Sequence, residues 1–190
     1  MVLNMNNLVY GVGIRDLPTT GENAKAYRTW KSMLARCFSH SVHEIRPNYV
    51  GCDISSEWTY FSIFKEWFDD NYVPGYQLDK DILAKGNKVY CAQYCRFVPA
   101  HINSLMAQKK NLSTGLPGVS MSSDGTRYRA TVLLNGQSLH IGYFADKLDA
   151  FDAYKVEKES IIKEVAIESY RRGEIYKDIL NAMLEYKVER

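Results

Sequence analysis

No stretch of the chain runs to about 18 apolar residues, the length a membrane-crossing helix needs, so no membrane span is expected. The first residues lack a charged segment followed by an apolar one, so no secretion signal is expected either. An excess of one charge is also missing: 24 Lys and Arg face 22 Asp and Glu, and a net charge of +2 does not by itself imply a nucleic-acid partner. Gly11-Val12-Gly13 lacks the third glycine and the following helix that a dinucleotide-binding loop requires. Serine, histidine and aspartate occur without the strand-turn-helix context of a nucleophile elbow. There is no internal repeat and no low-complexity segment.

What remains is an ordinary globular composition, 46% hydrophobic and 24% charged, with 190 residues, enough for one large domain or two small ones. The expected compartment is the cytoplasm, or the nucleoid if DNA is the partner. Cysteine is scarce, at four residues, and cytosolic thiols stay reduced unless they bind metal. Cys91 and Cys95 are spaced more widely than a zinc knuckle, while His40 and His43 follow Cys37 and could complete a site. The preferred reading is thiols packed as small hydrophobes, and zinc is not expected. The charge is unevenly spread. Between Ala107 and Ile141, Lys109, Lys110, Arg127 and Arg129 face only Asp124, a net of +3, whereas Asp146 to Arg190 carries a net of −2. This modest basic patch fits phosphate attraction.

Residues 1–19 read as an arm with a short strand around Leu8 to Ile14. A helix is expected after Thr20, running to about Phe38, with Tyr27, Trp30, Met33, Leu34 and Cys37 at helical spacing. Ser55 looks like the N-cap of a second helix holding Trp58, Phe61, Phe64, Trp67 and Phe68; such a stripe reads as core rather than as a base-stacking platform. Residues 76–99 carry short apolar runs around a Gly86-Asn87 turn signal and read as a hairpin or a strand-loop-strand unit. A short helix follows over about 100–107, then a polar linker over 109–116.

From Pro117 the period changes to two. Tyr128, Ala130, Val132 and Leu134 alternate with Arg127, Arg129, Thr131 and Leu133. Asn135-Gly136 is a strong hairpin signal. Leu139, Ile141 and Tyr143 alternate with Ser138, His140, Gly142 and Phe144 in the next strand. Asp146 then caps a helix whose apolar face is Ala150, Phe151, Tyr154, Ile161, Ile162 and Val165, and a last helix is expected over about 174–186.

Gly118-Val119, Tyr128/Ala130/Val132, Ile141-Gly142-Tyr143-Phe144 and Ala150-Phe151-Asp152-Ala153-Tyr154 together resemble the Apetala-two/ethylene-response-factor type of DNA-binding domain, in order and spacing over about 40 residues. The resemblance implies a three-stranded sheet plus helix whose sheet lies in the major groove of double-stranded DNA, which is wide enough for β structure. It assigns the DNA-facing positions to Ser120, Ser122, Arg127, Arg129, Thr131, Ser138 and His140. Arg127 and Arg129 are then the phosphate or guanine contacts. The sequence departs from the plant pattern at Ser120 and Ser122, where arginines are usual, and at His140, where tryptophan is usual. A polar sheet face that merely meets solvent or the other domain is the alternative.

Upstream, Trp30, Met33, Arg36, Cys37, Trp58, Phe61, Phe64, Leu78 to Leu83, Gly86 to Lys88, Tyr90, Cys95 to Pro99, Ile102 and Asn103 resemble phage-encoded HNH-type homing-endonuclease-like proteins. The resemblance implies an α+β chain. An N-terminal arm (1–19) and an HNH-like helical/hairpin module (20–108) come first. A linker (109–116), an Apetala-two-like domain (117–168) and a C-terminal helix (169–190) follow. It also implies the cytoplasm of a phage-infected bacterial host. An HNH site uses a histidine as general base beside a metal-bound Asp, His or Asn group. The family's Asp-His pair falls at Asp79-Lys80, so lysine stands where the base belongs, and with an ordinary pKa of about 10.4 it is a poor base. Asp79, Lys80, Asp81 and His101 are the candidate catalytic residues, and Asp79, Asn87 and His101 the candidate ligands for Mg²⁺ or Mn²⁺. Three readings stay open: a DNA binder with a degenerate nuclease site, an active metal-dependent endonuclease, and a factor that binds a host protein. For Asp79 to Asp81 the bland alternative is a solvated turn with local ion pairs.

Overall fold

A computed structural model describes residues 8–108 and 110–190. Residues 1–7 of the expected arm, and Lys109, which opens the expected linker and belongs to the basic patch, lie outside the described residues. The chain is mixed α+β and divides into two compact units, Met1–Phe97 and Val98–Arg190. The division therefore falls ahead of the short helix at residue 100, whereas the sequence places the linker at 109–116.

The first unit is built on aromatic packing. Helix α1 (Ala24–Phe38) starts after a 3-10 turn over Gly21–Asn23, and α2 (His40–Ile45) follows it. The expected second helix starts later than Ser55 implies. A 3-10 turn over Glu57–Thr59 comes first, and α3 spans Phe61–Asn71. The carboxylate of Asp16 accepts the Ser62 backbone N–H at 2.9 Å, so an orphan donor of that helix end is satisfied from a distant segment rather than by Ser55. Trp30, Trp58, Phe61, Phe64 and Phe68 are all buried, and the Trp30 indole N–H donates to the Trp58 carbonyl at 2.8 Å. Trp58 and Phe64 meet edge to face at 5.0 Å, a favoured aromatic geometry. The aromatic stripe is core. Near the start of the described chain, Tyr10 and Gly11 take positive φ, closing a tight turn bridged from Val9 to Gly13.

Of the two expectations for residues 76–99, the strand-loop-strand unit forms and the hairpin across Gly86-Asn87 does not. Strand β1 (Asp53–Ile54) pairs in parallel with β3 (Val89–Tyr90), while β2 (Gln77–Asp79) pairs with β4 (Arg96–Val98). The Gly86-Asn87 turn signal marks a loop that closes on buried Lys80, so two adjacent strands never form across it.

The second unit begins with α4 (Ala100–Met106). Strands β5 (Val119–Met121), β6 (Tyr128–Leu134) and β7 (Gln137–Phe144) form one antiparallel sheet in the order β5-β6-β7. Asn135 and Gly136 turn the β6–β7 hairpin with φ of 51° and 80°, the paired left-handed conformation that an Asn-Gly turn supplies. Asp146 caps α5 (Lys147–Arg171) by accepting the Leu148 N–H at 2.6 Å. The helix lies on one face of the sheet, with Ala150, Phe151 and Tyr154 buried alongside Val119, Ala130 and Val132. Helix α6 (Lys177–Glu185) packs back on α5 and buries Ile179 and Met183. No described helix is long and apolar enough to cross a membrane.

Candidate nucleic-acid interface and the nuclease-like loop

At the end of β2, Asp79 turns its carboxylate back onto its own chain. Its Oδ1 accepts the backbone N–H groups of Asp81 (2.9 Å) and Ile82 (2.7 Å). Burial, reinforced by the nearby Asp81 charge, pushes this carboxyl up to about 6. Lys80 is only 7% exposed. Its ammonium donates to the Asn87 carbonyl at 2.7 Å and to Asp81 Oδ2 at 3.1 Å, and it stands 5.9 Å from the Tyr90 ring centroid. The Asn87 amide donates to the carbonyls of Lys80 (2.7 Å) and Val89 (2.8 Å), and its oxygen accepts the Val89 N–H at 3.0 Å. Buried Tyr90 in turn accepts from Arg36 at 3.3 Å.

The solvated turn that the sequence suggests is therefore half right: Asp81 is exposed, but the lysine between the two aspartates is interior. Asp79 Oδ1, the Asn87 amide and the Lys80 ammonium are engaged in tying the loop after β2 to itself. His101 belongs to the second unit, on α4, where its Nε2 lies 3.5 Å from Ser169 Oγ and 3.8 Å from Glu174 Oε2. Among the described residues no three His, Cys, Asp or Glu side chains converge as a metal group. Asp79 and Asn87, engaged as they are in the loop that holds the buried Lys80 ammonium, do not fit a divalent cation as arranged. Cys37, Cys52 and Cys95 are buried free thiols, and the His43 ring pairs with the Arg36 carbonyl at 2.8 Å. The first unit also holds an open cleft of about 510 Å³ lined by Trp58, Trp67, Glu57, Glu66 and Asp70, an acidic lining that disfavours phosphate.

The sheet presents a different surface. Residues opposite each other in a ladder share a face. Ser120 stands across from Arg129, Arg129 from Tyr143, Thr131 from His140 and Leu133 from Ser138. These lie on the face away from α5, since the alternate residues Ala130 and Val132 are buried. The ladder shifts register between Ala130 and Thr131: Gly142 pairs with the first and His140 with the second, leaving Ile141 unpaired. This is a β-bulge. It changes the expected pattern in β7. Leu139 joins the helix side as anticipated, but beyond Ile141 the faces exchange, and Tyr143 emerges on the polar face.

There Tyr143 lies between His140, at a ring distance of 4.8 Å, and the Arg127 guanidinium, 4.9 Å above its ring. The two residues of β7 that sequence periodicity sets on opposite faces thus meet. Tyr143 is the functional candidate that periodicity misses, because a bulge leaves no mark in it. Of the seven expected DNA-facing residues, Ser120, Arg129, Thr131, Ser138 and His140 share this face, and Arg127 reaches it at the foot of β6. The hydroxyl of Ser120 is buried with no hydrogen-bond partner among the described residues. Ser122 lies beyond β5. It donates to Asp124 at 2.6 Å and accepts the Arg127 N–H at 3.0 Å, so its hydroxyl is spent in the β5–β6 turn. Hydrogen bonds from Ser122 and Thr126 hold the Asp124 carboxyl down at about 2.

Comparison with protein-family models, with curated proteins and with solved structures gives no match to this chain.

Proposed function

We propose that the protein binds double-stranded DNA through the sheet face away from α5, and that the first unit is a nuclease-like module of phage type without a working nuclease site. The observation that carries this reading is the surface formed by Arg127, Arg129, His140 and Tyr143, where two guanidiniums and two aromatic rings meet and no carboxylate belongs to the strand residues of that face. A cationic, ring-bearing sheet suits phosphate contact and base-edge readout in a groove about 12 Å wide. The degenerate nuclease is supported by Lys80, a buried tie where a general base would need to meet water. Such a binder works in the cytoplasm of its host and needs no cofactor.

The test is titration of labelled duplex DNA with the full chain over a series of salt concentrations, with and without Mg²⁺ or Mn²⁺, reading shift and cleavage on the same gels. Binding without cutting is expected. Arg129→Ala should weaken binding and reduce the slope of log affinity against log salt by about 1. Metal-dependent cutting lost in Asp79→Ala would overturn the degenerate-site reading. No shift at low salt would overturn DNA binding and point to a host-protein partner.

A further inference from the structure

The polar face of the sheet is not uniform along its strands. Arg127, Arg129 and Tyr143 occupy the end near the β5–β6 turn, Thr131 and His140 face each other in the middle, and Leu133 and Ser138 occupy the end near the Asn135-Gly136 hairpin, with no formal charge between them. Leu133 is 51% exposed and directly opposite Ser138. A lone exposed leucine means little. This one projects near the hairpin end of the face turned away from the core, opposite Ser138 and two residues from Thr131 on its own strand. The Thr131 and Ser138 hydroxyls beside it have no hydrogen-bond partner among the described residues. Polar donors and acceptors left free around one apolar group are complementary to a surface of the same make-up.

In the major groove that surface is the A·T pair. The thymine C5-methyl is the apolar group of the groove's edge in unmodified DNA, and it is flanked by the O4 acceptor and by adenine N6 and N7. We infer that Leu133 reads the 5-methyl group of thymine, with Thr131 and Ser138 bonding the polar edge beside it, while the arginine end holds phosphate or guanine. The inference rests on the sheet being the DNA-binding face. It adds a base identity and a residue that neither charge nor the family resemblance assigns.

The experiment begins with a random-sequence duplex pool enriched by the full-length wild-type protein, then amplified with either dTTP or dUTP, so that the two pools differ only in the thymine methyl. Wild type should bind the uracil pool about three- to tenfold more weakly, the order expected for one buried methyl per site or a few. Leu133→Met should keep the discrimination. Leu133→Ser should bind both pools alike, near the wild-type affinity for the uracil pool, with unchanged thermal unfolding because the side chain is exposed. Equal wild-type affinity for the two pools, or discrimination that survives in Leu133→Ser, overturns the assignment while leaving DNA binding intact. Failure to enrich any duplex overturns the DNA reading itself, and this inference with it.

Discussion

Gly118 lies directly beneath the ring of Tyr154: a β-carbon placed on it would stand 2.1 Å from Tyr154 Cδ2. The glycine also has φ of +68°, a region that side chains with a β-carbon rarely enter, and its carbonyl accepts the Thr131 N–H at 2.9 Å. Two requirements, one of space and one of backbone, fall on the same residue. Gly118→Ala should destabilise the second unit by about 2–4 kcal/mol, since clash and strained φ add. Denaturant unfolding would measure it. In Gly118→Ala/Tyr154→Ala the steric part should vanish, leaving coupling of about 1 kcal/mol or more relative to the sum of the single changes.

Lys80 is expected to matter for folding and not for chemistry. Lys80→Ala leaves the Asn87 carbonyl without its 2.7 Å donor and Asp81 without its partner, a loss of about 1–3 kcal/mol. Lys80→Met keeps the stem's packing and should recover part of that loss. Urea unfolding midpoints give the ranking. DNA affinity of the folded variants should match wild type, and a collapse in affinity with unchanged stability would contradict a purely structural role for the lysine.

The Asp79 carboxyl titrates at about 6 in the fold, above the usual carboxylate range near 4. Between those values the folded state holds more protons than the unfolded state, so this group makes stability fall as pH rises from about 4 to 6, with the full cost present above 6. Asp79→Asn keeps an oxygen for the Asp81 and Ile82 N–H groups and removes the charge. It should gain on wild type steadily across that window, read as the difference between their unfolding free energies at pH 4, 5, 6 and 7. A flat difference would refute it.

Lys158 gives a trend in the alkaline range. It is 3% exposed, on the same stripe of α5 as Tyr154, Ile161 and Ile162, and burial lowers its pKa to about 8. From about pH 8 to 10.4 the unfolded chain holds the extra proton, so this group makes stability rise with pH through that range, while at pH 7 its desolvation cost is fully present. Lys158→Met should stabilise the protein at pH 7 by about 1–3 kcal/mol, and the gain should shrink to near nothing by about pH 10.5. Thermal unfolding of both proteins at pH 7 and pH 10 decides it.

The second unit is legible in sequence because its signals are local. The alternation in β6, the Asn-Gly turn and the Asp146 cap each act within a few residues, and each forms where expected. The start of α3 falls several residues beyond the expected one because the group that meets its first turn is Asp16, far away in sequence. The loop after β2 departs from expectation for a related reason. A lysine between two aspartates looks like surface, and only the fold shows that Asn87 and Tyr90 close over it. At the sheet face, residue types are enough to select the arginines, but Tyr143 depends on one unpaired residue whose presence no composition reveals.

That unpaired residue is a slack link in the strand. With Ile141 in the ladder as an ordinary partner, plain alternation would set Tyr143 on the helix side; the bulge takes up one residue and returns it to the side of Arg129. Deleting Ile141 alone would leave Gly142 opposite Ala130 and Tyr143 opposite Arg129, so the strand can lose this one codon and still display the same side chains.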